Sequence, residues 1–156
     1  VVTKCPTNMK PIDRRIVSNT LHLASYQHLF YSSIRYAPCT FSQTPLLVTG
    51  IANPLPLLEH LKAQYPDTEL LAFADHHVFT QHDIAQIIRK AAQYSIVVTT
   101  EKDYMRMQQT PLMEALGDKL HVLPIQTDMG MDQEAFNRQI LLYVSENNRK
   151  LSTVNC

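Results

Sequence analysis

The chain has 156 residues, 45% of them apolar and 18% charged, the length and balance of one globular domain and not of a disordered segment. Lys plus Arg and Asp plus Glu both number 14, so no basic excess points to nucleic acid. The cysteines (Cys5, Cys39, Cys156) are scattered, odd in number and form no Cys-x-x-Cys pair, which argues against a disulfide framework or zinc knuckle and for a reducing compartment.

In chain order, VVTKCP opens on an apolar β-branched pair without Met, and reads as the end of a strand (Val1–Thr3) whose beginning is missing. The chain is therefore expected to be a fragment of a longer protein. Further strands are predicted at Ser32–Tyr36, Leu46–Thr49, Leu70–Ala74, Ile96–Thr99 and His121–Ile125, and helices at Asp13–Tyr26, Pro54–Gln64, Gln81–Tyr94 and Asp132–Asn147. Asn53-Pro54 reads as a cap followed by a first-turn proline. Thr80 with Asp83 is a capping-box variant, opening a helix whose Ile84, Ile87, Ile88, Ala91 and Ala92 form one apolar stripe. Thr100 with Asp103 repeats the pattern after the strand Ile96–Thr99. A short helix is expected within Gln108–Gly117, and 148–156 reads as a disordered polar tail. Strands alternating with helices predict an α/β, three-layer α/β/α fold with a mainly parallel sheet, occupying residues 1–156. No run approaches the ~18 apolar residues of a transmembrane helix.

Three polar loops follow predicted strands and precede helices: TGIANP, DHHVFT and TTEKD. In open α/β sheets ligands bind beyond the carboxyl ends of the strands, so these loops lie where such a fold puts its chemistry. Asp75, His76 and His77 are adjacent and point in different directions, so one metal ion is not held by all three. No D-x-D, H-E-x-x-H or H-x-H supplies further ligands. An acid–base role needs less: one imidazole oriented by one carboxylate. The residues alone leave that open beside a plain surface loop, with Asp75 capping a turn and the histidines solvated. Glu101 and Lys102 sit at a helix start, where Lys102 can reach a phosphate as a point charge; capping and solvation explain the same residues. Gly50 is expected to take a backbone conformation that other residues avoid. Lys4, after the first strand, reads as a nucleotide contact or as an ordinary loop lysine. With only three glycines, no glycine-rich phosphate loop can be written.

VVTKCP, LLVTGIANP, FADHHVFTQHDI and VVTTEKDYMRM, in this order and spacing, resemble the C-terminal half of the tetraacyldisaccharide 4'-kinase family of the lipid A pathway. The resemblance implies a C-terminal α/β lobe beside a P-loop domain, with the active site between them. It implies transfer of the ATP γ-phosphate to the 4'-hydroxyl of a lipid A disaccharide precursor, on the cytoplasmic side of the bacterial inner membrane. ATP and Mg²⁺ would be held mainly by the other half, which would also make the membrane contact, and this lobe alone would be inactive. His76 would assist a carboxylate of that half as base on the sugar hydroxyl, with Asp75 orienting it and His77 as the second candidate. Lys4, Glu101 and Lys102 would face nucleotide or substrate, and no residue here would bind metal. The alternatives are a metal-dependent phosphoesterase with an Asp-His-His motif and a non-catalytic α/β binding module.

Overall fold

The computed structural model describes the backbone of residues 1–153 and the side chains of residues 1–147. The chain forms two compact units, one from 36–125 and the other from 1–35 with the segment that begins at residue 126.

The unit at 36–125 is built on four parallel strands, β2 (Leu46–Thr49), β3 (Glu69–Ala72), β4 (Val97–Thr100) and β5 (Leu120–Leu123), in the order β3-β2-β4-β5. Its central strands are apolar on both faces, as a sheet covered on both sides requires. Successive side chains of β2 enter different cores. Leu46 and Val48 pack with Val97, with Ile84, Ile87 and Ala91 of α3 (Gln81–Ala91), with Met107 of α4 (Glu101–Met107), and with Leu112 and Leu116 of α5 (Leu112–Leu116). Leu47 packs on the opposite face with Val98, Ile96 and Leu123, and with Leu57 and Leu61 of α2 (Leu55–Lys62). This is the expected three-layer arrangement.

The other unit contains α1 (Pro11–Leu21) and α6 (Gln133–Thr153). Asp132 ties it together: its carboxylate accepts from Arg14 at 3.2 Å and from the Tyr31 backbone N–H at 2.8 Å, while the Arg14 guanidinium lies over the Tyr31 ring. The strands β1 (Ser33–Tyr36) and β6 (Ile125–Asp128) pair as a two-stranded ribbon where the chain passes between the units.

Several boundaries differ from those predicted, each for a local reason. The expected first strand is a single parallel bridge between Val2 and Tyr31. The predicted strand His121–Ile125 divides at Pro124, which has no N–H to continue a ladder, so β5 ends at Leu123 and β6 begins at Ile125. The first helix starts two residues early, on Pro11, and stops at Leu21, where His22 turns left-handed with φ 46°. Helix α2 opens one residue later than expected, with Asn53 Oδ1 accepting from the Leu55 N–H at 3.2 Å. Helix α6 runs past Asn147 to Thr153, and residues 154–156 of the expected tail lie outside the described residues. Among the described residues no helix is long and apolar enough to cross a membrane.

Candidate functional site

The strand order creates a topological switch point. From β2 the chain moves one way, through α2 on one face, to the edge strand β3. From β4 it moves the other way, through α4 and α5 on the opposite face, to β5. Strands β2 and β4 are neighbours, and it is outside the carboxyl ends of two such strands that open α/β sheets receive ligands. The loops that begin at Gly50 and Thr100 lie at those ends.

One buried carboxylate organises this switch point. Asp103 is 0% exposed. Its Oδ2 accepts from Thr49 Oγ1 at 2.7 Å, from the Gly50 N–H at 3.0 Å and from Thr100 Oγ1 at 2.8 Å. Its Oδ1 accepts from Arg106 Nη1 at 3.1 Å, a pair one helical turn apart on α4. A buried charge is tolerable only when paired and hydrogen-bonded, and here the ends of β2, β4 and α4 supply all four donors. The Thr100–Asp103 capping pattern is present, since Thr100 Oγ1 accepts from the Asp103 N–H at 3.1 Å, but it is the smaller part of what Asp103 does.

Gly50 differs from its expectation. Its φ lies outside the left-handed region, and the glycine is needed for closeness. A Cβ there would stand 3.2 Å from the Ala74 carbonyl oxygen and 3.4 Å from Asp103 Oδ1. The bare backbone lets the β2 loop reach the carboxylate and the loop after β3 together.

The Asp75–His77 loop lies at the end of β3, and its two histidines occupy opposite environments. His77 is anchored. Its Nε2 stands 2.8 Å from Asp83 Oδ2, its ring stacks on Phe73 at 5.2 Å, and Phe79 meets it edge-on. Asp83 is also the capping-box carboxylate of α3, accepting from the Thr80 N–H and hydroxyl. The Thr80 hydroxyl, then His77, then the Thr80 N–H hold the Asp83 carboxyl down at about 2. His76 is 75% exposed in its side chain, and its backbone is left-handed at φ 58°, uncommon for a residue other than glycine. Its Nε2 lies 3.6 Å from Asp75 Oδ2, and its Nδ1 lies 3.4 Å from Arg106 Nη2.

Of the residues picked out by sequence, Asp75, His76 and Lys102 come together. Lys102 Nζ donates to Asp75 Oδ1 at 3.1 Å and, with the His76 N–H, keeps the Asp75 carboxyl below the usual carboxylate range. Glu101 turns elsewhere, its Oε2 3.4 Å from the Ile125 N–H. His77 packs toward Asp83, and Lys4 belongs to the other unit, where its backbone is left-handed at φ 58°. Among the described residues no three His, Cys, Asp or Glu side chains converge as a metal site. Sequence reasoning missed Arg106 and reduced Asp103 to a helix cap. The available signal was their three-residue spacing on one helix, directly after a strand end.

A parallel α/β sheet that gathers an imidazole, a lysine, an arginine and two carboxylates at its carboxyl edge belongs to the ligand-handling α/β enzyme domains. The tetraacyldisaccharide-1-P 4'-kinase family matches residues 5–145, and the chain belongs to that family. It is similar to tetraacyldisaccharide 4'-kinases of Bacteroides thetaiotaomicron (37% identical, 97% of this chain and 47% of the relative), Bacteroides fragilis (38%, 96% and 46%) and Flavobacterium johnsoniae (35%, 94% and 45%). The chain spans about half the length of these curated relatives. No solved structure matches it.

Proposed function

We propose that this chain supplies the acceptor-side lobe of a lipid A 4'-kinase, which moves the ATP γ-phosphate to the 4'-hydroxyl of a lipid A disaccharide precursor. A P-loop domain of the same protein grips ATP and Mg²⁺ and makes the contact with the cytoplasmic side of the inner membrane. The single observation that carries this reading is the open, exposed ring of His76, set beside Asp75 at the carboxyl edge of the sheet in a chain of this family.

Phosphoryl transfer is mostly positioning and charge stabilisation, with one group helping to remove the nucleophile's proton. His76 takes that role. As the sugar oxygen bonds to the γ-phosphorus and the bond to the β-phosphate oxygen breaks, the hydroxyl proton passes to the imidazole and ADP departs. Asp75 faces the other ring nitrogen and stabilises the imidazolium that forms. Lys102 holds Asp75 in place and adds positive charge to the rim. His77, packed and tied to Asp83, keeps the loop in shape.

The test is kinetic, in the protein that contains both halves. His76→Ala is expected to lower kcat by roughly 10²–10⁴. The present chain alone, given ATP, Mg²⁺ and acceptor, is expected to yield no phosphorylated disaccharide. Product formed by the chain alone would contradict the division of labour, and a tight Mn²⁺ site in a metal titration would favour the phosphoesterase alternative.

A further inference from the structure

His76 is mostly exposed and sits on a left-handed residue, yet both of its ring nitrogens face a charged group. Among the described residues no aromatic ring stacks on His76 to choose its orientation, unlike His77, which stacks on Phe73 and lies 2.8 Å from Asp83 through Nε2. The group that reaches His76 from the sheet is Arg106, and Arg106 is itself fixed. Its Nη1 donates both to the buried Asp103 carboxylate at 3.1 Å and to the Gly50 carbonyl at 3.3 Å. That leaves Nη2 directed outward, 3.4 Å from Nδ1 of His76. A guanidinium has donors only, so an Nδ1 facing it is the unprotonated nitrogen of the ring. The proton of the neutral ring then lies on Nε2, the nitrogen that faces Asp75 Oδ2.

We propose that Arg106 is a positioning residue for His76: anchored on Asp103 and Gly50, it holds the ring in one orientation and one tautomer, with Nδ1 as the proton-accepting atom. The buried carboxylate at the switch point is thereby connected to the exposed base through one side chain. This deepens the kinase reading and rests on it for its consequence. The acceptor hydroxyl takes the place of Arg106 Nη2 as the donor to Nδ1, and its proton moves to Nδ1 while the Nε2 proton stays on the ring, facing Asp75 Oδ2. The displaced Nη2 then sits beside the reacting oxygen as a cationic donor. Lysine cannot replace it, because a single ammonium does not span Asp103, Gly50 and His76 at once.

The experiment is histidine side-chain nitrogen NMR on the full chain, which needs neither substrate nor turnover. In the unmodified chain, His76 is expected to show an unprotonated, hydrogen-bonded Nδ1 and a protonated Nε2. Nδ1 is expected to shift away from the position of an exposed, free imidazole. Arg106→Gln should move the His76 Nδ1 signal to the free position while His77 keeps its own pattern. Arg106→Lys, which keeps a cation beside Asp103, should do the same, so a folding defect in the glutamine variant does not decide the matter. A free-imidazole pattern for His76 in the unmodified chain, a protonated Nδ1, or an unchanged His76 signal in a folded variant would overturn the proposal. None of these results bears on whether His76→Ala loses turnover, so the two ideas fail separately.

Discussion

Replacing Asp103 with alanine removes the one group that the ends of β2, β4 and α4 share. The carboxylate is fully buried and receives four donors within 3.1 Å, from Thr49, Gly50, Thr100 and Arg106. Breaking a buried pair by deleting one partner costs about 3–5 kcal/mol, because the other is left uncompensated. Two adjustments act in opposite directions. Arg106 retains 23% side-chain exposure and can rehydrate, which lowers the cost. Thr49 Oγ1 and the Gly50 N–H stay buried without an acceptor, each worth about 1–3 kcal/mol, which raises it. The expected loss is about 4 kcal/mol, or roughly 10 °C in Tm for a chain of this size. Urea titration followed by circular dichroism measures it. The midpoint should fall with little change in slope, since the surface exposed on unfolding is the same. A loss below about 1 kcal/mol would mean that the carboxylate is not the organising charge of this edge.

Two further outcomes follow from the same geometry. Among the described residues, Thr99 Oγ1 is the one buried side-chain polar atom without a hydrogen-bond partner, so Thr99→Val should leave stability unchanged or raise it by about 1 kcal/mol in the same titration. Asp83 has its folded-state pKa pulled to about 2, below the ordinary value near ~3.9. Its contribution to stability is therefore complete above about pH 4 and lost as pH falls toward 2. Asp83→Asn should flatten the stability profile across that acid window, and an unaltered profile would show that the contact with Thr80 and His77 does not persist in solution.

Much of the sheet was legible because β2 and β4 are short β-branched or apolar runs closed by threonine and followed by a helix start. Both cores follow from the alternation along Leu46–Leu47–Val48 and the stripe Ile84, Ile87, Ala91. The Thr80–Asp83 box was legible because its partners are three residues apart. Asp103 was not, for the complementary reason. Its local cap with Thr100 already accounts for the sequence pattern, while its contacts with Thr49 and Gly50 span 54 and 53 residues and exist only once β2 and β4 are side by side. Gly50 was misread along the same line: turn chemistry is local, whereas the crowding by Ala74 and Asp103 is tertiary. His76 and His77 look alike in sequence, and only the folded loop separates the exposed ring from the anchored one.

That separation gives the most direct test of the central claim. In the protein carrying both halves, His76→Ala and His77→Ala are compared for kcat and for thermal stability on the same preparations. His76→Ala is expected to lose turnover by at least about 10²-fold with Tm nearly unchanged. His77→Ala, which loses the contacts with Asp83 and Phe73, is expected mainly to lower Tm. Full turnover in the folded His76 variant, or a loss of turnover confined to the His77 variant, would contradict that claim.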